Sequence, residues 1–418
     1  MRNKFALKAL FAATAFAVGS MSGVSAAETK GPVTDEIGVV KIRKGAPIHI
    51  GGYWTLSGPD VNLGLDQKRG AEIAMDDADN MVAGHAIKFH AEDSQCNAEG
   101  GQTAAIKLAS NQNIVVVVGP DCSSAGTPGG PILWKAGIPS VATSTTAPSL
   151  TAPDRPAGLH GYMRTIYNDL SAGAADAEYF WGEMQCKTIA TIHDGSPYAE
   201  QLVRVAEGRF RELGGTVTAS EAVAPNDVDM RPLLTRMATT KPCAIYFPIF
   251  VAAAAQIARQ FPEIKGLEGT TPVGGSALMA PGFLEAAGDL AVGFVFTNPD
   301  SSSEAFGARY PDFLKKYKEK YGEAPIQAFH ANAYDGMAVA LMGIEKVAVT
   351  DSEGNTYIGR KALRDALFAT KDFNGIGGPI ECNEYGDCAG FKFAAYKFTN
   401  SDPETFEIGV NPEKIYPN

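Results

Sequence analysis

Hydroxyl residues and glycines cluster after two apolar runs in the first half of the chain. The run Ile114–Val118 ends at Gly119, and the residues from there to Pro131 are rich in Ser, Thr and Gly. A second run, Ile138–Ala142, is followed by the hydroxyl cluster Thr143–Thr146. Hydroxyls and free backbone amides form charge-assisted hydrogen bonds to an anion without a buried cation. The two segments therefore predict a pocket for a small polar head group.

Both apolar runs predict strands that bring these polar segments to one edge of a sheet. The valines Val115–Val118, bounded by turn residues, are typical of a strand buried on both faces of a parallel sheet. In open α/β sheets, ligands bind at the carboxyl ends of the strands. We therefore expect the two polar segments to face the same cleft.

Strand and helix patterns alternate along most of the chain. One series runs from Pro47 to Ala142, with Pro128–Ala136 as its last helix, and a second series starts after Arg164. The alternation predicts an α/β fold of two doubly wound, Rossmann-like lobes. More than one chain crossing between the lobes implies a cleft and a multi-strand hinge.

The two ends of this region carry different patterns. Residues 27–45 are polar and are predicted to form a loose leader. After three further helical patterns, Gly378–Cys382 and Ala389–Phe398 predict an antiparallel hairpin around Asn383–Asp387. That loop has carboxylates and an amide that could bind calcium, but a hairpin turn is the favoured interpretation.

Length, charge and the N-terminus limit the class of protein. With 418 residues, the chain is too long for one ordinary core, and a net charge of −11 argues against nucleic acid or an anionic membrane as the main partner. Basic residues precede the apolar run Ala9–Val18, and Val24–Ala26 fits a small-residue cleavage site. Residues 1–26 are therefore predicted to be a secretory signal peptide.

Six cysteines are expected to pair in an oxidising compartment. Fifteen pairings are possible, but the layout favours neighbours in sequence: Cys96–Cys122, Cys186–Cys243 and Cys382–Cys388. A metal site is not indicated, because the sequence has no C-x2-C pair and no ligand spacing among its histidines.

Enzyme signatures are missing from the sequence. It contains no G-x-S-x-G, H-E-x-x-H, Walker or G-x-G-x-x-G motif. Asp93 and Asp121 lie near strand ends, where carboxylates more often cap a loop than act as general bases. His193 and Asp194 are adjacent on a strand and so point to opposite faces. No catalytic residue and no cofactor are predicted.

Aromatic residues also follow predicted strands. Tyr53, Trp54, Tyr198 and Phe250 all lie at such ends. Core packing would explain each one alone, but four at the mouth of one cleft favour a small, partly apolar ligand.

With these features the chain resembles the periplasmic substrate-binding proteins of ABC transporters, in the branched-chain (Leu/Ile/Val-type) amino-acid-binding group. The resemblance covers nearly the whole chain after the signal peptide. The motifs that carry it are Leu56–Pro59, Val118–Ser124, Gly137–Ser140, Thr145–Thr151, Met163–Thr165, Asp194–Tyr198 and Ala333–Asp335. It implies the type I periplasmic binding fold, with lobe 1 at residues 46–164 and 299–371 and lobe 2 at residues 165–298 and 372–410.

The resemblance also implies a ligand site. In the family, a Ser after the cysteine and a short run after the next strand hold the ligand's carboxylate; these positions match Ser123, Ser144, Thr145 and Thr146. Aromatics of the other lobe close on the ligand, and Tyr198 and Phe250 match them. In the first loop, Leu63 takes a position often held by an aromatic, and Tyr53 and Trp54 are nearby candidates. The family's disulfide before the binding loop is matched by Cys96 and Cys122.

One position departs from the family pattern. Amino-acid binders place an acidic residue on the second lobe to hold the α-ammonium, and the aligned position here is Ser276. A desolvated ammonium needs a negative partner. Either Glu268 or Glu285 substitutes, or the ligand is a carboxylic acid or amide without the amine.

The resemblance implies a non-enzymatic receptor in the periplasm that captures a small amino acid or related carboxylate and delivers it to an ABC permease. A ligand-sensing subunit of the same fold, feeding a signalling receptor, is the alternative. An exported enzyme is a third reading, which the missing catalytic motifs disfavour.

Overall fold

A computed structural model describes residues 27–302 and 304–417. The predicted signal peptide at residues 1–26 lies outside the described residues. Within the described part, no helix has both the length and the apolar character needed to cross a membrane.

The helices of the described residues follow the predicted alternation. In chain order they are α1 (Val61–Asp77), α2 (Ala98–Ser110), α3 (Ser123–Lys135), α4 (Asp169–Glu178), α5 (Pro197–Glu212), α6 (Arg231–Ala238), α7 (Val251–Gln260), α8 (Pro281–Ala287), α9 (Tyr310–Tyr321), α10 (His330–Val347) and α11 (Arg360–Phe368).

The strands of the same residues form two large sheets and three small ones. In chain order they are β1 (Glu28–Lys30), β2 (Val33–Asp35), β3 (Val39–Ile42), β4 (Ile48–Trp54), β5 (Met81–Val82), β6 (His85–Asp93), β7 (Ile114–Val118), β8 (Ser140–Ala142), β9 (Tyr162–Arg164), β10 (Thr188–His193), β11 (Thr216–Ala222), β12 (Ala244–Phe247), β13 (Thr271–Gly274), β14 (Val295–Pro299), β15 (Val349–Thr350), β16 (Thr356–Gly359), β17 (Phe373–Asn374), β18 (Pro379–Ile380), β19 (Phe393–Lys397) and β20 (Glu413–Tyr416).

Lobe 1 is built on the sheet β5-β6-β4-β7-β8-β9, in which only β5 runs antiparallel. Strand β7 is buried on both faces, as predicted: Val118 packs in one core cluster with α1 and α10, and Val117 in another with α2 and α3. Helices α1 and α10 approach so closely that a Cβ at Gly70 would lie 2.1 Å from the carbonyl oxygen of His330. Glycine is required there because any side chain would separate the two helices.

Lobe 2 repeats the design on the sheet β11-β10-β12-β13-β14-β19-β20. The first five strands are parallel, and the last two are antiparallel additions. Ile192 and Ile245 pack on one face of this sheet, and Ile189 and Tyr246 belong to the cluster on the other. Two doubly wound lobes of the type I periplasmic binding fold therefore form the molecule, as predicted.

The described chain passes between the lobes after β9, after β14 and before β19. The last crossing lies later than the predicted boundary at residue 371. Ile376, Ile380 and the disulfide-bonded Cys382 and Cys388 pack in the lobe 1 cluster, so residues 372–388 stay with lobe 1. The burial of these apolar side chains in lobe 1 keeps the segment there, and the local sequence pattern did not reveal it. The predicted change of lobe at residue 371 is therefore wrong.

The predicted C-terminal hairpin is confirmed at its turn and wrong in its second strand. The chain turns back at Asn383–Asp387, where the Asn383 amide donates to the Asp387 carbonyl at 2.9 Å and Ile380 bridges Ala389. The second segment crosses to lobe 2 as β19 and pairs antiparallel with β14. Distant pairing there satisfies more backbone groups than the local hairpin would.

Two other local predictions are corrected. The leader is not loose: β3 pairs with β16, and the Asp35 carboxylate accepts hydrogen bonds from the Lys361 and Ala362 amides at the start of α11. Helix α3 begins at Ser123 and not at Pro128, although two prolines lie inside it. The Thr127 hydroxyl donates to the Ser123 carbonyl at 2.9 Å, which satisfies one of the carbonyls in its first turn.

Candidate ligand-binding cleft

The carboxyl ends of both large sheets face each other across the cleft. Ser123 is the first residue of α3 after β7, and the hydroxyl cluster follows β8. On the other side, Tyr198 lies in the first turn of α5 after β10, and Phe250 immediately precedes α7 after β12. Parallel strands deliver these residues to one edge because all their carboxyl ends point the same way.

A small cavity lies between the lobes. Both lobes supply its walls, which are formed by Leu63, Asp121, Cys122, Ser123, Ser144, Thr146, Tyr198, Phe250, Ser276, Ala277 and Phe329. Six of the eight predicted ligand-binding residues are thus brought together around one space.

The lobe 1 wall offers hydroxyls and a helix N-terminus. The Ser123 hydroxyl accepts a hydrogen bond from the Ala147 amide at 3.3 Å, and the Ser144 hydroxyl donates to the Asp121 carbonyl at 2.7 Å. Among the described residues the buried Thr146 hydroxyl has no hydrogen-bond partner. No side chain caps α3, so its first amides add positive potential. This wall suits a carboxylate.

The lobe 2 wall consists of two aromatic residues and two small residues. The rings of Tyr198 and Phe250 pack at 5.7 Å between centroids, beside Ser276 and Ala277. The Tyr198 hydroxyl is buried without a hydrogen-bond partner in the part of the chain the structure covers. Such a hydroxyl is free to bind a polar ligand group, while the rings cover an apolar one.

Sequence reasoning missed Phe329, whose ring lines the cavity from lobe 1. Together with Leu63, it extends the apolar wall that Phe250 begins. Phe329 sits at the N-cap of α10, the helix whose apolar pattern predicted only core packing.

Asp169 is a second residue that sequence reasoning missed. It opens α4, its side chain is fully buried, and neither carboxylate oxygen has a hydrogen-bond partner among the described residues. Burial raises its pKa from the ordinary 3.8 to about 7. Its backbone amide donates to the Thr146 carbonyl at 3.0 Å, and its charge contributes to raising the pKa of the Tyr198 phenol. A buried acid therefore lies beside two cavity residues; in the sequence it resembled an ordinary helix-start residue.

Arg164 fixes the hydroxyl loop from behind. The fully buried guanidinium pairs with Asp387 at 2.6 Å and donates to the carbonyls of Thr145 and Ala147. Because Asp387 belongs to the segment before the last crossing, this ion pair ties the loop to that segment.

Trp54 and Thr145 are corrections to the predicted site. Trp54 is fully buried in lobe 1, where its indole N–H donates to the Thr143 hydroxyl at 3.1 Å. The Thr145 hydroxyl bonds to the hydroxyl of Tyr162 inside the lobe. Alternate residues of an extended segment point in opposite directions, so Thr145 turns inward where Ser144 and Thr146 turn to the cleft. Tyr53 is likewise a core residue.

Neither glutamate suggested as a substitute for the family's acid reaches the cavity. Glu268 and Glu285 are both exposed on lobe 2, and neither belongs to the cavity wall. Ser276 lies in that wall, as the alignment indicated.

Asp93 and Asp121 act as loop caps. Asp121 accepts hydrogen bonds from the Thr55 amide at 2.7 Å and from the Ser94 hydroxyl at 3.2 Å, and it is fully buried, which raises its pKa. Asp93 accepts from the Leu56 amide at 2.9 Å. These bonds join three loops at the edge of the lobe 1 sheet.

All three cysteine pairs are joined in the structure: Cys96–Cys122, Cys186–Cys243 and Cys382–Cys388. The first borders the cavity through Cys122. The second joins residues that precede β10 and β12, at the opposite edge of the lobe 2 sheet.

Hydrogen bonds cross the cleft and hold the lobes together. Gln327 donates to the Ser276 carbonyl at 3.2 Å, and Gln201 donates to the Ser149 hydroxyl at 2.9 Å. The Val251 amide donates to Asp60 at 3.1 Å. The structure is thus a closed form.

Comparison with known proteins places this fold and cleft in context. The chain is 27% identical over 355 residues to a Leu/Ile/Val-binding protein of Rhizobium johnstonii, covering 84% of this chain and 92% of that one. It is 26% identical over 398 residues to a leucine-, isoleucine-, valine-, threonine- and alanine-binding protein of Pseudomonas aeruginosa, covering 94% and 95%. These relatives are binding proteins and not enzymes.

Solved structures share the fold. A leucine-binding protein from Thermotoga maritima superposes with a TM-score of 0.75 at 24% identity, covering 85% of this chain and 96% of that one. A solute-binding protein from Rhodopseudomonas palustris, solved with benzoate, superposes with a TM-score of 0.72 at 19% identity, covering 88% and 95%. Residues 47–387 match the family described as periplasmic binding protein. Because that match spans most of the chain, the protein belongs to the periplasmic binding protein family.

Proposed function

We propose that this protein is an exported receptor that binds an α-amino acid with an apolar side chain and delivers it to an ABC permease from the periplasm. The observation that carries the proposal is the pairing of opposite chemistries across one cavity. Hydroxyls and helix amides lie on lobe 1, and the buried Asp169 carboxylate lies close to two residues of the cavity wall, Thr146 and Tyr198.

In this proposal each part of the ligand has its own partners. The carboxylate binds Ser123, Thr146 and the first amides of α3, which are charge-assisted hydrogen bonds. The ammonium binds Asp169 and the Tyr198 hydroxyl, which pairs the buried carboxylate with a cation in addition to the Arg164 guanidinium that already acts on it. The side chain lies against Leu63, Phe250 and Phe329.

In this proposal Asp169 takes the role of the acid that Ser276 replaces. A serine at the position of the family's acid leaves the ammonium without a partner from that strand. Asp169 supplies a carboxylate from the start of α4, on the same side of the cleft. An α-amino acid is therefore compatible with this cleft although Glu268 and Glu285 lie outside it.

An aromatic carboxylate is the second candidate ligand. Two structural neighbours were solved with benzoate and with 3,4-dihydroxybenzoic acid. A pKa of about 7 allows Asp169 to be neutral, which would remove the need for an ammonium. The ring of such a ligand would lie between Phe250 and Phe329.

Closure is the step that couples binding to delivery. A ligand that contacts both lobes favours the closed form over the open one, so the closed population reports an occupied cleft. A sensing subunit would close in the same way as a transport receptor. The two differ in the partner that recognises the closed form, a signalling receptor in one case and a permease in the other. Loss of solute uptake on deletion, with transcriptional responses intact, distinguishes the receptor from the sensor.

The test is isothermal titration of the signal-free protein, refolded to remove any carried-over solute, with leucine, its keto acid 4-methyl-2-oxopentanoate and benzoate. Tight binding of leucine over the keto acid supports the α-amino-acid proposal. Preference for the keto acid or benzoate contradicts it and selects the second candidate. No binding of any of the three contradicts both ligand assignments.

A further inference from the structure

Asp60 occupies a position from which its side chain would normally cap its own helix. It is the N-cap residue of α1, yet its side chain makes no hydrogen bond to that helix. Instead, Oδ1 accepts a hydrogen bond from the Val251 amide at 3.1 Å. Asp60 belongs to lobe 1 and Val251 to lobe 2, so this bond crosses the cleft.

The recipient helix has no cap from its own lobe. Helix α7 begins at Val251, and its N-cap residue, Phe250, makes no capping hydrogen bond with its side chain. The first turn of the helix contains no acidic residue either. A helix leaves its first amides without intrahelical partners, and a carboxylate is a preferred group to satisfy them. The missing cap of α7 is therefore supplied by the other lobe.

We propose that Asp60 is a latch: a positioning residue that caps α7 across the cleft and thereby favours the closed form. When the lobes separate, the first amide of α7 loses its partner and Asp60 returns to water. The bond therefore contributes to the free energy of closure and not to the stability of either lobe alone. This inference does not depend on which solute the cleft binds.

The latch lies next to ligand-facing residues on both lobes. Phe250 lines the cavity and immediately precedes the donor Val251, while Leu63 lines the cavity from the first turn of α1. A solute that draws these two residues together also brings Asp60 to the α7 amide. Ligand contact and latch formation are thus coupled through adjacent positions of the chain.

The charges around Asp60 keep the latch weak. Burial, the largest cause, together with the carboxylates of Asp194 on lobe 2 and Asp121 on lobe 1, raises its pKa to about 6, although the hydrogen bond from the Val251 amide lowers it. The first turn of α7 has no titratable residue. Helix α8 also lies near this part of lobe 1, because its Gly282 approaches Asn62, and the titratable residue that α8 carries is the exposed Glu285. The neighbouring carboxylates therefore disfavour the ionised form of Asp60, which limits how strongly the latch holds the closed form.

The test compares four single variants and one double variant of the signal-free, ligand-free protein by hydrogen exchange and by small-angle X-ray scattering. Asp60→Ala removes the acceptor and Asp60→Asn keeps an oxygen acceptor without the charge. Val251→Pro removes the donor N–H at the first helical position, where proline is well tolerated. Asn97→Ala is the matched control, because Asn97 caps α2 within lobe 1 through the Gly100 amide.

We expect Asp60→Ala to accelerate exchange at the start of α7 by about tenfold, the value for loss of one N-cap. It should also increase the radius of gyration, and Val251→Pro should do the same, with no additional increase in the double variant. Asp60→Asn should stay near wild type, and Asn97→Ala should accelerate exchange only at α2.

Unchanged α7 exchange in Asp60→Ala would overturn the proposal. Faster exchange without a change in the radius of gyration would also overturn it, because the bond would then be a local cap with no role in closure. These measurements use no ligand, so a failure of leucine binding would not affect them. For any solute that does bind, Asp60→Ala should raise the dissociation rate about tenfold.

Discussion

The two walls of the cleft are built by different means. The hydroxyl-bearing part of the lobe 1 wall is held by covalent and ionic links: the Cys96–Cys122 disulfide, the Asp121 network and the Arg164–Asp387 pair. The lobe 2 wall is formed by packed aromatic rings and small residues, and the buried Asp169 carboxylate lies close to its Tyr198. Ionic and covalent links thus fix the hydroxyls of one wall, whereas ring packing shapes the other.

This difference assigns a role to each lobe. In the proposed function, the oriented donors of lobe 1 bind the carboxylate of the ligand. The buried Asp169 carboxylate of lobe 2 then favours closure over a ligand that carries a cation. Discrimination between an amino acid and a simple acid should therefore reside in lobe 2, and the following predictions test that division.

The largest expected effect concerns the disulfides. Replacing Cys186 and Cys243 by alanine should lower the free energy of unfolding by about 4 kcal/mol, and replacing Cys96 and Cys122 by about 3.5 kcal/mol, from the loops they close. Only the second change should weaken ligand binding, because only that disulfide borders the cavity. Chemical denaturation and calorimetric titration of both variants check this; equal loss of affinity would contradict the assigned difference.

Asp169→Asn should weaken leucine binding by about 3 kcal/mol, because the ammonium loses its buried counter-charge. Binding of the keto acid should not weaken. Asp176→Asn is the matched control. Asp176 is also buried and burial raises its pKa to about 7, but it accepts a hydrogen bond from the Tyr246 hydroxyl in the lobe 2 core. If Asp176→Asn reduces affinity as much as Asp169→Asn, the ammonium site is wrongly placed.

Ser123→Ala should weaken leucine and its keto acid equally, by about 2 kcal/mol, since both share the carboxylate that this hydroxyl contacts. Titration calorimetry with both ligands gives the comparison. A loss of affinity for leucine alone would indicate that the ammonium binds on lobe 1, which would contradict the roles assigned to the two walls.

The pH dependence of leucine affinity should follow Asp169. Its pKa is raised to about 7 in the ligand-free protein, and a bound ammonium favours the ionised form, so binding releases a proton. Affinity should therefore fall about tenfold between about pH 8 and about pH 6. Asp169→Asn should flatten this difference, and an unchanged slope in the variant would assign the dependence to another group.

Tyr198→Phe should have the smallest effect, about 1 kcal/mol on leucine affinity, the net value of one hydrogen bond. The ring remains packed on Phe250, so the keto acid should bind as before. Loss of affinity for both ligands would indicate that the hydroxyl contacts the carboxylate instead.

The sequence predicted the strand ends and most of the residues that surround the cavity. Ser123, Ser144, Thr146, Tyr198, Phe250 and Ser276 were named in advance, and all line it. Their position follows from a local rule, namely that polar residues after a buried parallel strand lie at its carboxyl end. That they bind the ligand stays a prediction.

The errors and omissions have a common cause. Trp54 and Thr145 are in the right segments but face inward, and Asp169 and Phe329 come from helix starts that looked structural. The direction of a side chain depends on backbone angles and on neighbours from other segments. Neither is contained in a local pattern.

The sequence by itself determined the fold class, the cysteine pairs and the edge of each sheet where a ligand would lie, because apolar periodicity and short-range spacing encode them. Tertiary structure decided which lobe residues 372–388 join, which hydroxyls face the cleft, and that the carboxylate of Asp60 caps a helix of the other lobe. Those outcomes depend on contacts between segments far apart in the chain, where burial and the satisfaction of backbone groups outweigh local preference.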